Sequence, residues 1–154
     1  MNTTHFSKDV NEFLLLLERE EVQYLIVGGE AVIYYGHVRL TGDIDILYSN
    51  TRSNNKKLFT ILLEFWDNDI PGINNQEELS EEGMIIQFGL PPNRIDLIND
   101  ITGVSFGEAW EKRVTDEIHY ENETINVHYI GKEDLKKNKK ATGRAKDQDD
   151  LNFL

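Results

Sequence analysis

The sequence contains no cysteine, which excludes disulfide bridges and thiolate metal ligands and fits a reducing compartment. Proline is scarce too, with three residues among 154, and no repeat, low-complexity tract or linker interrupts the chain. Long apolar runs are also missing. The leucine run at 14–17 ends at Glu18 and is too short for a signal sequence or a membrane-spanning helix. We therefore expect a cytoplasmic protein that makes no contact with a membrane.

Basic residues are in deficit, with 16 against 28 acidic ones, and the formal net charge is −12. Such a charge repels phosphate and argues against a protein that coats nucleic acid without sequence preference. The deficit has a local exception, because seven of the 16 basic residues lie between Lys132 and Lys146. This basic segment is either a solvated helix face or an anion-binding site, and composition alone leaves both interpretations open.

The length of 154 residues fits one domain, 1–154, and a hydrophobic fraction of 39% is sufficient for a packed core. Apolar periodicity predicts helices over 7–20, 30–35 and 54–66. Ser7 is expected to cap the first of these helices and Ser53 the third. Strands are predicted at 22–27, 43–48, 84–90, 94–98, 116–121 and 124–130. Short connections join 84–90 to 94–98 and 116–121 to 124–130, which predicts two hairpins. A basic helical segment closes the chain over about 131–154. The predicted class is α/β (α+β), with a single mixed sheet flanked by helices.

Two carboxylates, Asp43 and Asp45, lie two positions apart in the apolar strand DIDILY. Side chains alternate along a strand, so the two carboxylates project to one face while Ile44 and Ile46 point into the core. Carboxylates this close repel each other, and a hard cation such as Mg²⁺ relieves the repulsion while leaving positions for substrate phosphates. The alternative is a strand edge that charge protects against unwanted pairing. The pair alone does not decide between the two.

Three further features favour the metal site. Gly28 and Gly29 end one apolar strand and open a helix, where backbone N–H groups can approach an anion, although a simple tight turn also fits a glycine doublet. Asp96 lies between aliphatic residues of a later strand, where a carboxylate needs a ligand or a partner unless it faces solvent. The basic segment supplies the positive charge that a polyphosphate requires. Together these features indicate a nucleoside triphosphate and a divalent cation.

These residues resemble the signature of the nucleotidyltransferase superfamily of the DNA-polymerase-beta type. That signature is a glycine doublet after a hydrophobic residue, a spacer, an Asp-x-Asp pair, and a third acid on a neighbouring strand. The corresponding parts of this sequence are Val27-Gly28-Gly29, a spacer of thirteen residues, Asp43-Ile44-Asp45 and Asp96.

Within the superfamily, the chain is most similar to small bacterial nucleotidyltransferases related to abortive-infection toxin enzymes. In that group, an Arg-x-Thr leads into the acidic pair, and Arg39 and Thr41 match it here. The closing segment NKKATGRAKDQDDL is also similar to the last motif of the group. The matching positions are Lys139 or Lys140, Arg144, Lys146 and Asp147.

The resemblance implies a minimal nucleotidyltransferase fold that moves a nucleoside monophosphate from an NTP, for example ATP, to an acceptor hydroxyl and releases pyrophosphate. Asp43 and Asp45 would hold the cation that gathers the triphosphate, and with Asp96 they would hold a second one; Mg²⁺ or Mn²⁺ would serve. Asp96 could also accept the proton of the hydroxyl. The residues expected to contact the nucleotide are Gly28, Gly29, Arg39, Thr41, Lys139, Arg144 and Lys146.

The acceptor stays open. A chain of 154 residues has no room for the second domain with which larger relatives hold an acceptor, so a homodimer or a partner subunit would supply that surface. RNA such as tRNA, a protein and a small molecule are all candidates, and so are toxin–antitoxin and housekeeping roles. Two other functions compete with an active transferase. One is a non-catalytic nucleotide-binding or antitoxin-like partner that keeps the fold, and the other is a metal-dependent phosphohydrolase, which would need ligands that the spacing does not offer.

Overall fold

Six short strands form one mixed sheet in the computed structural model, which describes residues 5–154. The strands are β1 Tyr24–Val27, β2 Asp43–Tyr48, β3 Ile85–Phe88, β4 Arg94–Ile98, β5 Val114–Tyr120 and β6 Glu123–Tyr129. Their order across the sheet is β3-β4-β2-β1-β6-β5. The predicted fold class, α+β with a single mixed sheet flanked by helices, is confirmed.

The two central strands have different relations to their neighbours. β2 is antiparallel to β1 and parallel to β4, whereas β1 is parallel to β6 on its other side. The outer pairs, β3 with β4 and β5 with β6, are antiparallel hairpins, as the sequence predicts. Because β2 and β4 run side by side in the same direction, their first residues lie at the same end of the sheet.

Helices cover both faces of this sheet. Their bounds are α1 Lys8–Arg19, α2 Gly28–Tyr34, α3 Arg52–Phe65, α4 Phe106–Glu111, α5 Lys132–Thr142 and α6 Ala145–Phe153. On one face, Phe13 of α1 and Leu58 of α3 belong to the same buried apolar cluster as Ile44 and Ile46 of β2. A smaller cluster on the other face joins α2, α4 and α5 to β1 and β2. The predicted burial of Ile44 and Ile46 is confirmed, and their neighbours Asp43 and Asp45 therefore project toward the face of α2 and α5.

Helix ends differ from the predictions in three places. Thr51, and not Ser53, caps α3, because its hydroxyl accepts a hydrogen bond from the backbone N–H of Asn54 at 3.2 Å. α2 begins at Gly28 and not at residue 30. The closing helical segment is two helices, because Gly143 has a left-handed φ of 61° that ends α5. Short α4 has no counterpart among the predicted elements. None of the helices in residues 5–154 is both long and apolar enough to cross a membrane.

Candidate active site

Strands β2 and β4 bring three carboxylates together. In the parallel register, Asp45 lies opposite Asp96, and Asp43 lies opposite Arg94. Since residues two apart share a face, all four side chains are on the same side of the sheet. One oxygen each of Asp43, Asp45 and Asp96 lies within 4.8 Å of the other two. The structure therefore places the three predicted acids at a single point, in what we call the acidic cluster.

The glycine doublet is fitted closely around this cluster. Gly28 has φ of 65°, and a Cβ at this position would lie 2.1 Å from Oδ2 of Asp45. Any side chain at Gly28 would therefore displace the Asp45 carboxylate. A Cβ at Gly29 would lie 2.8 Å from Oγ1 of Thr41, which itself donates to the backbone oxygen of Asp43 at 3.2 Å. Both glycines thus have a packing role that the sequence did not reveal, and their contact with a nucleotide stays a prediction.

Mutual repulsion changes the acid–base properties of the cluster. Burial raises the pKa of Asp45 to about 7, and the neighbouring charges of Asp43 and Asp96 act in the same direction. Burial also raises the pKa of Asp96, with help from Asp43, although hydrogen bonds from Arg94 oppose the rise. A proton near neutral pH, or a cation, is therefore needed to keep three carboxylates at this spacing.

Arg94 is the functional residue that the sequence interpretation missed. Its guanidinium donates a short hydrogen bond to Asp43 and another to Asp96, the latter at 2.9 Å from Nε. A local signal was present, because the Arg-x-Asp spacing of Arg94 and Asp96 on a strand puts both side chains on one face. The arginine thus supplies part of the positive charge that the acidic cluster requires.

The donor set of the acidic cluster fits a hard divalent cation. Mg²⁺ prefers carboxylate oxygens as ligands. Three carboxylates that converge on one point would offset at least part of the charge of each bound ion. His37, Asp149 and Asp150 form a second group with ligand atoms within 4.8 Å of one another. Its buried member, Asp150, is already paired with Lys139 and Arg39. We therefore associate the predicted metal site with the acidic cluster alone.

A cleft of about 630 Å³ opens beside the acidic cluster. Gly28 and Asp45 line one side of this nucleotide-side cleft, and Lys139, Thr142 and Arg144 of the α5–α6 region line the other. The cleft therefore combines the glycine turn, one acid of the cluster and part of the basic segment. This is the combination that a bound polyphosphate requires.

Most of the predicted phosphate-binding cations already have carboxylate partners. The side chain of Lys139 is only 3% exposed, and its Nζ lies 3.2 Å from Asp147 and 3.1 Å from Asp150. Arg39 pairs with Asp150 at 3.1 Å. Arg144 pairs with Asp147 at 2.8 Å but stays 61% exposed. Lys139 and Arg39 are thus held by carboxylates, because the helix break at residue 143 folds α6 back onto them, and their contact with a nucleotide stays a prediction.

Lys146 differs from the other basic residues near the cleft. Its side chain is exposed, and within residues 5–154 it makes no ion pair with any carboxylate. Its charge lowers the pKa of Asp45, against the larger effects that raise it. Lys146 therefore acts electrostatically on the acidic cluster while its ammonium group stays available to a ligand.

Asp147 organises the start of α6. Its carboxylate accepts hydrogen bonds from the backbone N–H of Arg144, from Thr142 at 2.6 Å and from Lys139. Burial alone would raise the pKa of Asp147, but hydrogen bonds from Arg144, Thr142 and Lys139 outweigh burial and lower the pKa below its usual range. Asp147 is thus both a helix cap and an ion-pair partner.

The sheet, the glycine turn and the acidic cluster together form the arrangement that the resemblance predicts for a nucleotidyltransferase. Comparison with family models agrees at this level. Residues 5–153 match the model of a family of nucleotidyltransferases of unknown function (DUF6036), and the chain belongs to that family. No curated protein matches the chain.

Removal of one charge should reveal the strain in the acidic cluster. In EDTA, unfolded Asp45 ionises near its ordinary pKa of 3.8, whereas folded Asp45 ionises only at about 7. The free energy of unfolding should therefore fall as the pH rises between these two values and level off above them. Asp45→Asn should flatten this part of the profile, as measured by urea unfolding at a series of pH values. Parallel profiles for the two proteins would contradict the raised pKa.

The Arg94→Met variant should show whether the guanidinium competes with a divalent cation for the carboxylates or holds these carboxylates in place for the cation. Without the guanidinium, the three carboxylates repel each other unopposed, so the melting temperature in EDTA should fall while Mn²⁺ binds severalfold more tightly. Free Mn²⁺ measured by electron paramagnetic resonance gives the affinity directly. Arg52→Met, at the exposed start of α3, is the matched control. Weaker Mn²⁺ binding would instead mean that Arg94 orients the ligands and does not compete with the cation.

Asp147→Asn should destabilise the protein by about 3 kcal/mol at neutral pH, because it leaves buried Lys139 with Asp150 alone and weakens the hydrogen bonds from Thr142 and Arg144. Since the pKa of Asp147 is lowered on folding, its contribution is complete above the ordinary value of 3.8 and is lost as the pH falls below it. The deficit of the variant should therefore shrink in acid, as measured by urea unfolding. Asp149→Asn, an exposed neighbour on α6, should leave stability almost unchanged. A deficit that is constant with pH would contradict this assignment.

Proposed function

We propose that this protein is a Mg²⁺-dependent nucleotidyltransferase that moves a nucleoside monophosphate from an NTP to an acceptor hydroxyl and releases pyrophosphate. The observation that carries the proposal is the convergence of Asp43, Asp45 and Asp96 within 4.8 Å, beside a glycine turn and a cleft lined by cations. Membership of a nucleotidyltransferase family supports the reaction class. The link to the DNA-polymerase-beta type and to abortive-infection enzymes stays part of the proposal.

Each part of the site has a role in this reaction. Asp43, Asp45 and Asp96 would hold Mg²⁺ or Mn²⁺, which when bound neutralises phosphate charge and lowers the pKa of an attacking hydroxyl. Lys146 and the exposed side of Arg144 would contact the triphosphate and stabilise charge on the departing pyrophosphate. Gly28 and Gly29 would let the backbone approach the phosphates.

Arg39, Thr41 and Lys139 take indirect roles in the proposed reaction. Thr41 holds the backbone just before β2 through its hydrogen bond to the Asp43 carbonyl. Arg39 and Lys139 both bind Asp150 and so connect the segment that leads into β2 with α6. We propose that they position the acidic cluster and the α6 cations, and that the phosphate contacts of the resemblance fall mainly to Lys146 and Arg144.

One observation favours a second function. Arg94 already provides a positive charge to Asp43 and Asp96, so that the site is partly neutralised without a metal ion. A protein that binds nucleotides without turnover, such as an antitoxin-like partner, would need no more than this. The acidic cluster is complete, however, and a complete set of three carboxylates favours the transferase.

The test is a transfer assay with each of the four α-labelled NTPs, Mg²⁺ or Mn²⁺, and a mixture of cellular RNA, protein and polyols. We expect pyrophosphate release with incorporation of label for at least one NTP. Asp43→Asn and Asp45→Asn should each lower the rate by at least about a hundredfold at nearly constant side-chain volume.

Asp69→Asn, an exposed acid in a loop, serves as the control and should transfer label normally. Tight NTP binding without pyrophosphate release would support the non-catalytic function. Release of inorganic phosphate would indicate a phosphohydrolase. Normal transfer by Asp43→Asn would show that the site assignment is wrong.

A further inference from the structure

A second cavity, of about 350 Å³, borders the acidic cluster. Its walls include His5 near the N-terminus, Glu30 of α2, Asp43 of β2 and Arg94 of β4. No residue in the described part of the chain lines both this cavity and the nucleotide-side cleft. Asp43 faces one and Asp45 the other, so the acidic cluster lies between two separate spaces.

The two spaces differ in charge. The nucleotide-side cleft is lined by two cations, Lys139 and Arg144, and by two acids, Asp45 and Asp100, whereas the second cavity is lined by the acids Glu30 and Asp43 and one cation, Arg94. Acids outnumber cations in the second cavity but not in the cleft, so the second cavity repels a triphosphate more strongly. If the proposed transfer takes place, the second cavity is thus the better place for an acceptor hydroxyl group that carries no phosphate.

His5 and Glu30 form a pair on the wall of this second cavity. Nε2 of His5 lies 2.9 Å from Oε2 of Glu30. The Glu30 side chain is only 11% exposed, while that of His5 is 61% exposed. An ionised carboxylate can only accept, so Nε2 carries the hydrogen and Nδ1 of neutral His5 has a free lone pair. Among residues 5–154, no group makes a hydrogen bond to Nδ1.

We propose that His5, oriented by Glu30, is the general base for the acceptor hydroxyl; this rests on the proposed function. The hydroxyl oxygen attacks the α-phosphorus of the NTP, and a new oxygen–phosphorus bond forms. The bond from the α-phosphorus to the bridging oxygen breaks, and pyrophosphate leaves with the electron pair. The hydroxyl proton passes to Nδ1 of His5 and from there to water.

The surroundings of His5 suit this role. The carboxylate of Glu30, 2.9 Å from Nε2, stabilises the imidazolium that forms after proton transfer.

The experiment measures pyrophosphate release by the full-length chain with each of the four NTPs, saturating Mg²⁺ and the mixture of cellular RNA, protein and polyols, over about pH 5 to 9. His5→Gln should lower the maximal rate by about a hundredfold or more and abolish the rise in rate around the pKa of imidazole. Glu30→Gln should cause a smaller loss and shift that rise to lower pH. His119→Gln, in the β5–β6 hairpin, is the matched control and should behave as wild type.

Binding of a fluorescent ATP analogue and the melting temperature distinguish catalysis from structure. Both should stay unchanged in His5→Gln if His5 acts only on the acceptor proton. A wild-type protein that is active while His5→Gln keeps the same rate and pH profile would overturn this inference alone. Loss of ATP binding or of thermal stability in His5→Gln would also overturn it, in favour of a structural role. A wild-type protein that releases no pyrophosphate would overturn the proposed function, and this inference with it.

Discussion

Repulsion among three carboxylates is the constraint around which this end of the molecule is arranged. The parallel register of β2 and β4 places Asp45 opposite Asp96, and Asp43 lies two residues before Asp45 on the same face of the sheet. Gly28 must lack a side chain because Asp45 occupies the space where a Cβ would lie. Arg94 must be cationic because it bridges two of the acids. A site that needs this much compensation is destabilising unless it serves a ligand, which is a physical reason to connect it with function.

A network of ion pairs holds α6 against the segment that leads into β2. Asp147 and Asp150 of α6 form ion pairs with Lys139, Arg39 and Arg144. Since Arg39 stands four residues before Asp43, the network ties the last helix of the chain to the start of β2. Substitution of one residue of the network would leave its partners as unpaired charges. The network therefore fixes one arrangement of α6 but contributes little net stability. Much of the basic segment is thus engaged in ion pairs within the protein.

The sequence predicted the single sheet, both hairpins and the shared face of Asp43 and Asp45, because alternation within a strand is a local property. That Asp96 joins them was implied by the family resemblance. The sequence could not give the strand order or the parallel pairing of β2 with β4, which long-range packing decides. The pairing of Lys139 with Asp147 depends on the helix break at Gly143. A single glycine in a polar segment does not predict that α6 folds back onto α5. Arg94 had a local signal in its spacing from Asp96, but only the register showed that it also reaches Asp43.

The acidic cluster also divides the space around it. On the side of Asp45 lie the glycine turn, Lys139 and Arg144, and on the side of Asp43 lie Glu30, His5 and Arg94. A transfer reaction needs two reactants that approach one centre from different directions. Because Glu30 directly follows the glycine doublet, a single short segment contributes to both sides. The proposed transfer would therefore use two spaces that lie on either side of one acidic cluster.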